Sequence, residues 1–359
     1  MGGFGPAIPL LQADQGTSAA IAGLHGTALG VAAIIAGYIN APLVHRYGRY
    51  KSLWIGSVIF NLGAFSFVIF PSPWQTIPAI LVTGIGVSTI INNAFVYLTE
   101  HYGQNAPNAV MQANGVNSFF FLTGNFIIGT LASTTVSWRL GLLLCIPFAI
   151  ALYYFLGREH VSVQITEEHE RQRGPLPTRY WFSWIALFFS IAGEFAIQFW
   201  SAALVRERTG LTAAHSTTLV LAFPLGMALG RWFGASIAPR VGIDARLRFV
   251  MALQLLSFMG FWFSTSALIS FLALLFVGLG TSVQFALSTL RMLRIGHAKP
   301  DLAMGLSSLG AGLAIAGSPF FLGVLADHIG IVHGYLMVPI LFAFALAIVT
   351  FVPLHESER

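Results

Sequence analysis

Apolar residues in this chain come in long runs broken by short polar stretches, and the runs have the length a helix needs to cross a bilayer, about 20 residues. The pattern predicts spanning helices at Ala19–Leu43, Ser52–Phe70, Thr76–Thr99, Ala109–Ser133 and Trp138–Leu156. Six more follow at Trp181–Val205, Ala213–Ile237, Leu247–Phe263, Ala267–Leu293, Leu302–Ala326 and Val332–Val352. Ahead of them, Met1–Leu11 is apolar but too short to span, and Gln12–Ser18 reads as a loop. The short run is expected to be the second half of a first helix that starts upstream; a brief re-entrant leader is the alternative. Gly157–Tyr180 is the longest polar segment. It divides the chain into an N-terminal half (1–156), a linker (157–180) and a C-terminal half (181–359).

Small residues recur inside the runs. Gly23, Gly30 and Gly37 share one face of the second helix, and Gly226, Gly230 and Gly234 form a small-xxx-small ridge on the eighth. Both patterns predict close helix contacts.

Composition narrows the class. Hydrophobic residues make up 56% of the 359, charged residues only 9%, and the mean hydropathy is +0.77. A soluble protein of this length carries far more charge. The net charge of +5 sits in short loops, not on one patch, which argues against a nucleic-acid partner. The single cysteine, Cys145, excludes an internal disulfide. The acidic run Glu167–Glu170 contains one histidine without a second at ligand spacing, so it reads as a solvated segment, not a metal site. No nucleophile–base pair, HExxH or Walker loop is present, and no catalytic residue, cofactor or metal is expected.

Basic residues also set an orientation. With Ala41–Lys51 in the cytoplasm, only Arg139, Arg206 and Arg208 face outward and Arg231 lies within a helix, which leaves fourteen of the 18 Lys and Arg inside. With the first helix completed upstream, both termini are then cytoplasmic, in a multi-pass protein of the plasma (inner) membrane.

The chain repeats itself. Arg46 and Gly48 map onto Arg240 and Gly242 with a shift of 194 residues. The same shift carries Gly84, Gly86 and Ser88 onto Gly278, Gly280 and Ser282. It also carries Gly129, Leu131 and Ala132 onto Gly323, Leu325 and Ala326, and Gly16 onto Gly210. One shift fitting four separated regions predicts two parallel copies of one six-helix unit.

Ala41–Lys51 (APLVHRYGRYK) resembles the G-x-L-A-D-R-x-G-R-[KR] loop of the major facilitator superfamily, which joins the second and third helices. Leu43, Arg46, Gly48 and Arg49 match; His45 replaces the acid and Tyr50 the following base. Ala235–Asp244 is a fainter copy, and Gly323–Gly330 (GVLADHIG) echoes it on the opposite side. The resemblance implies an all-α polytopic membrane protein of that superfamily's fold, with two six-helix halves rocking about a central site. It also implies a gating role for His45, Arg46, Gly48, Arg49, Arg240 and Gly242. Ile80 and Asn125 stand where many proton-driven drug exporters carry an arginine and the proline of a Gly-Pro pair, which weakens that reading.

Glu194 is the one acid near the middle of a span, and Gln198 lies one turn along. An ionisable group at that depth is costly and marks function by default. The resemblance implies a cavity lined by the first, fourth, seventh and tenth helices. On that basis Asn92, Asn93, Tyr97, Gln198, Gln284 and Ser288 are the candidate cavity residues, each weighed against a role in binding helices together. Asn114, Asn117 and Asn125 read as such interhelical links, and Arg231 as snorkelling to the membrane surface.

These readings converge on a monomeric secondary transporter, a symporter or related carrier, for a small organic solute. Glu194 is its candidate proton-coupling group. A multidrug antiporter is the alternative within transport; a non-transporting membrane enzyme or receptor is the alternative outside it.

Overall fold

The computed structural model describes residues 7–102, 106–157, 174–234, 241–296 and 299–354. In chain order the helices are α1 (Ile8–Gln15), α2 (Ala19–Tyr47), α3 (Arg49–Ile69), α4 (Pro73–Tyr102) and α5 (Ala106–Ala132). A 3₁₀ turn at Trp138–Leu144 leads into α6 (Cys145–Leu156). The second half holds α7 (Thr178–Thr209), α8 (Ala213–Leu219), α9 (Ala222–Gly234), α10 (Ile243–Phe263) and α11 (Ala267–Thr281). It ends with α12 (Gln284–Ile295), α13 (Pro300–Gly334) and α14 (Met337–Phe351). Among the described residues, nine helical stretches are long and apolar enough to cross a membrane, and Val116–Ala132 and Met337–Phe351 are shorter apolar ones.

Several expected boundaries move, each for a local reason. The helix at Ile8 runs through the expected loop to Gln15 and stops at Gly16, whose left-handed φ of 59° a glycine adopts without strain. The expected loop at Ala41–Lys51 is almost entirely helical. α2 continues to Tyr47, Gly48 alone breaks the helix at φ 77°, and α3 starts at Arg49. The expected eighth helix divides into α8 and α9, because Pro224 has no N–H to offer the Val220 carbonyl. The tenth divides at Ser282, whose hydroxyl donates to Leu279 O at 2.7 Å and competes with the backbone ladder. α13 is broken at Gly330, whose φ of 79° is not helical, so the eleventh ends close to where it was expected; the twelfth resumes at Ile331 and is interrupted at Tyr335 before α14.

The 194-residue repeat reappears as matching contacts. A side chain at Gly84 would meet Leu29 and Ala32, while one at Gly278 would meet Phe223 and Met227. One at Gly86 would meet Phe60 and the Gly56 carbonyl; its counterpart at Gly280 would meet Gln254 and the Val250 carbonyl. Leu29 and Phe223, Phe60 and Gln254, and Gly56 and Val250 are all related by the same shift. Gly16 and Gly210 both cap a helix in the left-handed region, at φ 59° and 70°. Ser18 and Thr212, again equivalent, both accept a backbone N–H at the start of the next helix.

The halves meet mainly through α2 and α13. Near the Asp327 end they are in backbone contact: an added Cβ at Gly23 would lie 2.6 Å from Pro319 O, and at Gly26 2.7 Å from the Pro319 ring. Gly30 rests on Ala316 in the same way. Two carbonyls of α13 beside this contact each accept a side-chain bond from another helix: Trp200 Nε1 donates to Pro319 O at 2.9 Å and Thr27 Oγ1 to Ala316 O at 2.6 Å. Towards the Gly48 end the contact opens. Gly312 approaches Ile34 at 3.3 Å, Gly37 meets nothing within 4 Å, and Tyr38 is 81% exposed. The heptad of glycines was therefore a sound signal for Gly23 and Gly30 but not for Gly37. The bundle is shut at the Asp327 end and parted at the Gly48 end.

Gly30→Val is expected to hold the Asp327 end apart, since no rotamer can move its Cβ off the Ala316 backbone. Spin labels at Gln75 and His333 in a Cys145→Ala background should report a longer distance than in wild type. An unchanged distribution would contradict this.

Candidate functional site

α7 is 32 residues long and Glu194 sits at its midpoint. Small neighbours make room there. Gly193 takes the ring of Phe342 from α14, where any side chain would clash. Glu194 is half-buried, and Gln198, one turn along, donates its Nε2–H to Glu194 Oε1 at 2.9 Å.

The carboxyl faces a cavity of about 160 Å³ between α5, α7 and α9. Asn117, Ser118 and Phe121 line it from α5, and Pro224, Met227 and Arg231 from α9. The last three stand at i, i+3 and i+7, so they share one helical face, and the restart of the helix around Pro224 turns that face towards α7. Arg231, expected to snorkel, is half-buried and lines the cavity together with Glu194. A carboxyl, a guanidinium, two amides and a hydroxyl thus surround one small volume. Such a set can orient a polar solute through hydrogen bonds and exchange a proton with it or with water.

The other predicted cavity residues lie elsewhere. Asn93 is fully buried and donates to Asn40 Oδ1 at 2.6 Å and Thr89 O at 2.9 Å, which ties α4 to α2. Asn92 is half-buried on the same helix, and the Tyr97 ring stacks on His101 at 5.6 Å. Gln284 is buried and donates to Gln254 Oε1 at 2.6 Å, while Gln254 donates to Thr281 Oγ1 at 2.7 Å. These amides link α10, α11 and α12. Ser288, one turn further, is 4% exposed. None of the five lines the Glu194 cavity. Asn117, read as an interhelical link, does. So of the helices the resemblance implied, the seventh (α7) lines this cavity, and α5 and α9 supply the rest of its wall.

Of the residues expected to gate, His45 and Arg46 occupy the last turn of α2, Gly48 is the break, Arg49 opens α3, and Gly242 precedes α10. Arg240, Glu167–Glu170 and most of the 157–180 linker lie outside the described residues. Sequence reasoning missed a charged cluster at this end. Arg291 on α12 is 1% exposed; its Nε–H donates to Asp244 Oδ1 at 2.8 Å, and its other N–H groups donate to Ser183 Oγ and Val352 O. Asp244 Oδ2 accepts the Leu354 N–H at 2.6 Å. An arginine at the edge of a run and an aspartate opening the next were visible in the sequence, but not that they pair. Among the described residues, no three His, Cys, Asp or Glu side chains gather as a metal site would require.

An all-helical, multi-pass bundle of two related halves around an interior polar cavity is the class that these features define. Residues 1–299 match the Major Facilitator Superfamily. A sugar transporter of Arabidopsis thaliana, ERD6-like 15, is 29% identical over 148 residues, which are 41% of this chain and 30% of that protein's length. The fold is that of a point mutant of the nucleoside transporter NupG, at a TM-score of 0.77 and 12% identity, with 97% of this chain and 93% of that one covered. It is also that of a bacterial homologue of the human lysosomal transporter Spinster, at 0.73 and 12%, with the same coverage. The transporter FucP in the outward conformation matches at 0.63 and 13%, over 98% and 96%. The chain belongs to the Major Facilitator Superfamily, and its structural neighbours are membrane transporters.

Proposed function

We propose that this protein is a secondary active transporter of a small organic solute, that it works by alternating access, and that Glu194 is the proton-coupling group. The observation that carries this reading is the placement of Glu194. It is a half-buried carboxyl at mid-span, with Arg231, Gln198 and Asn117 on the same cavity, in a bundle shut at one end and parted at the other. Solute contacts are assigned to Gln198, Asn117 and Ser118. A hydroxylated solute of the sugar or nucleoside kind suits amides and a hydroxyl, and the sugar and nucleoside relatives support the same choice.

Uptake in proteoliposomes tests the reading. Sugars and nucleosides are offered with and without an inward proton gradient. One of them should enter faster than into protein-free vesicles, and faster again with the gradient. No flux for any solute would overturn the assignment, and flux indifferent to the gradient would overturn the coupling.

The excess of basic residues supports a cytoplasmic Gly48 end. In a Cys145→Ala background, a cysteine at Gln75 should react with an impermeant maleimide in intact cells. One at Tyr47 should react only after the cells are opened. The reverse pattern would invert the topology.

A further inference from the structure

Asp327 lies on α13, in the C-terminal half, yet both its carboxylate oxygens bond α2 in the N-terminal half. Oδ1 accepts the Ala19 N–H at 2.8 Å and Oδ2 the Ala20 N–H at 2.7 Å. These are two of the N–H groups that a helix start leaves unpaired, and Ser18 already serves Ile21. The carboxylate also meets the positive end of the α2 dipole. One turn earlier, Gly323 rests against Ala19 and Ala20, so the approach is as close as backbone allows. Both bonds must break whenever the halves part at this end.

Asp327 stands in GVLADHIG, residues 323–330, which follows the same pattern as APLVHRYG at 41–48. The closing glycines share one backbone conformation: Gly48 has φ 77° and ψ 160°, Gly330 φ 79° and ψ 154°. The 194-residue shift adds two further copies, at 129–136 and 235–242. The four residues at the acid's position are His45, Ser133, Pro239 and Asp327. Ser133 donates to Thr130 O at 2.7 Å in its own turn, and α8, the counterpart of α2, starts with only its own Thr212 as cap. One copy in four carries a carboxylate, and that copy is engaged across the halves.

We propose that Asp327 is a conformational latch that locks the two halves at this end, and that the absence of an acid from the other three copies biases the resting protein towards this closure. Asp327 also borders a cavity of about 480 Å³ that Arg206 and Glu207 of α7 line, so the carboxylate can be rehydrated when it lets go, and the latch is reversible. The inference concerns conformational balance and needs no substrate, so it stands or falls apart from the proton-coupling assignment.

The test uses full-length protein in nanodiscs, Cys145→Ala, with spin labels at Gln75 and His333 for this end and at Tyr38 and Leu309 for the other. Losing a helix cap of this kind shifts a two-state balance about fivefold. Asp327→Ala is expected to move the Gln75–His333 distances towards the longer population by that factor, with a matching shortening at Tyr38–Leu309. Asp327→Asn keeps an acceptor without the charge and should move both pairs less. Distributions unchanged in folded protein overturn the latch, and so does lengthening at both ends, which is general loosening. If the alanine variant does not fold, the asparagine variant decides alone: a reciprocal shift supports the latch, none overturns it.

Discussion

Glu194→Gln is expected to abolish solute uptake driven by a proton gradient, while exchange of solute down its own gradient continues. Glutamine keeps the size of the side chain and can still bond Gln198, whose Nε2 lies 2.9 Å from Glu194 Oε1, so the local packing survives. What it cannot do is gain or lose a proton. A carrier that moves a proton with its solute needs a group that does so once per cycle, and Glu194 is the acid that the cavity contains. Uptake by the variant should be the same with and without the proton gradient, and still faster than into protein-free vesicles. Undiminished uptake would make Glu194 structural. Loss of both fluxes in well-expressed protein would make it a solute ligand instead.

Asp244→Ala is expected to cause the largest loss of stability. Arg291 is 1% exposed and Asp244 is its only carboxylate partner among the described residues, at 2.8 Å. Removing the acid leaves a buried cation uncompensated, which costs about 3–5 kcal/mol. It also leaves the Leu354 N–H without its acceptor. The melting temperature in detergent should fall by about 10 °C. Replacing both partners with apolar residues, Asp244→Leu with Arg291→Met, removes the charge along with its partner and should restore most of the loss. A single variant as stable as wild type would contradict the pairing. The cluster ties α7, α10, α12 and the chain at and beyond the end of α14 together.

Hydropathy located the spanning helices because burial in lipid acts on whole runs of about 20 residues. The 194-residue shift was legible because glycines at helix crossings cannot be replaced without separating backbones. The contacts of Gly84 and Gly278, or of Gly86 and Gly280, are therefore copied with the residues. Glu194 and Gln198 were legible for a similar reason: an acid at mid-span stands out, and one helical turn fixes its neighbour. The direction in which an isolated amide points was not. Asn92 and Asn93 differ by one position, about 100° round the helix, and only the second meets Asn40. Gln284 bonds Gln254, thirty positions away, a partner that no spacing in the sequence announces. Arg231 was misread because hydropathy counts a charge by its depth and not by the face on which it stands. The helical stretch at Ala41–Tyr47 was misread as loop because its charges are polar enough for water, and water tolerates a helix as readily as a loop.

The central claim is that the cavity beside Glu194 opens to the two sides of the membrane in turn. Asn117 lines that cavity and is exposed to it. A cysteine at Asn117 in the Cys145→Ala background, in proteoliposomes of one orientation, can be offered an impermeant thiol reagent from either side. The account predicts reaction from the Gly48 side in resting protein, and reaction from the Asp327 side as well once solute and a proton gradient drive turnover. Reaction confined to one side under turnover would contradict alternating access at this cavity.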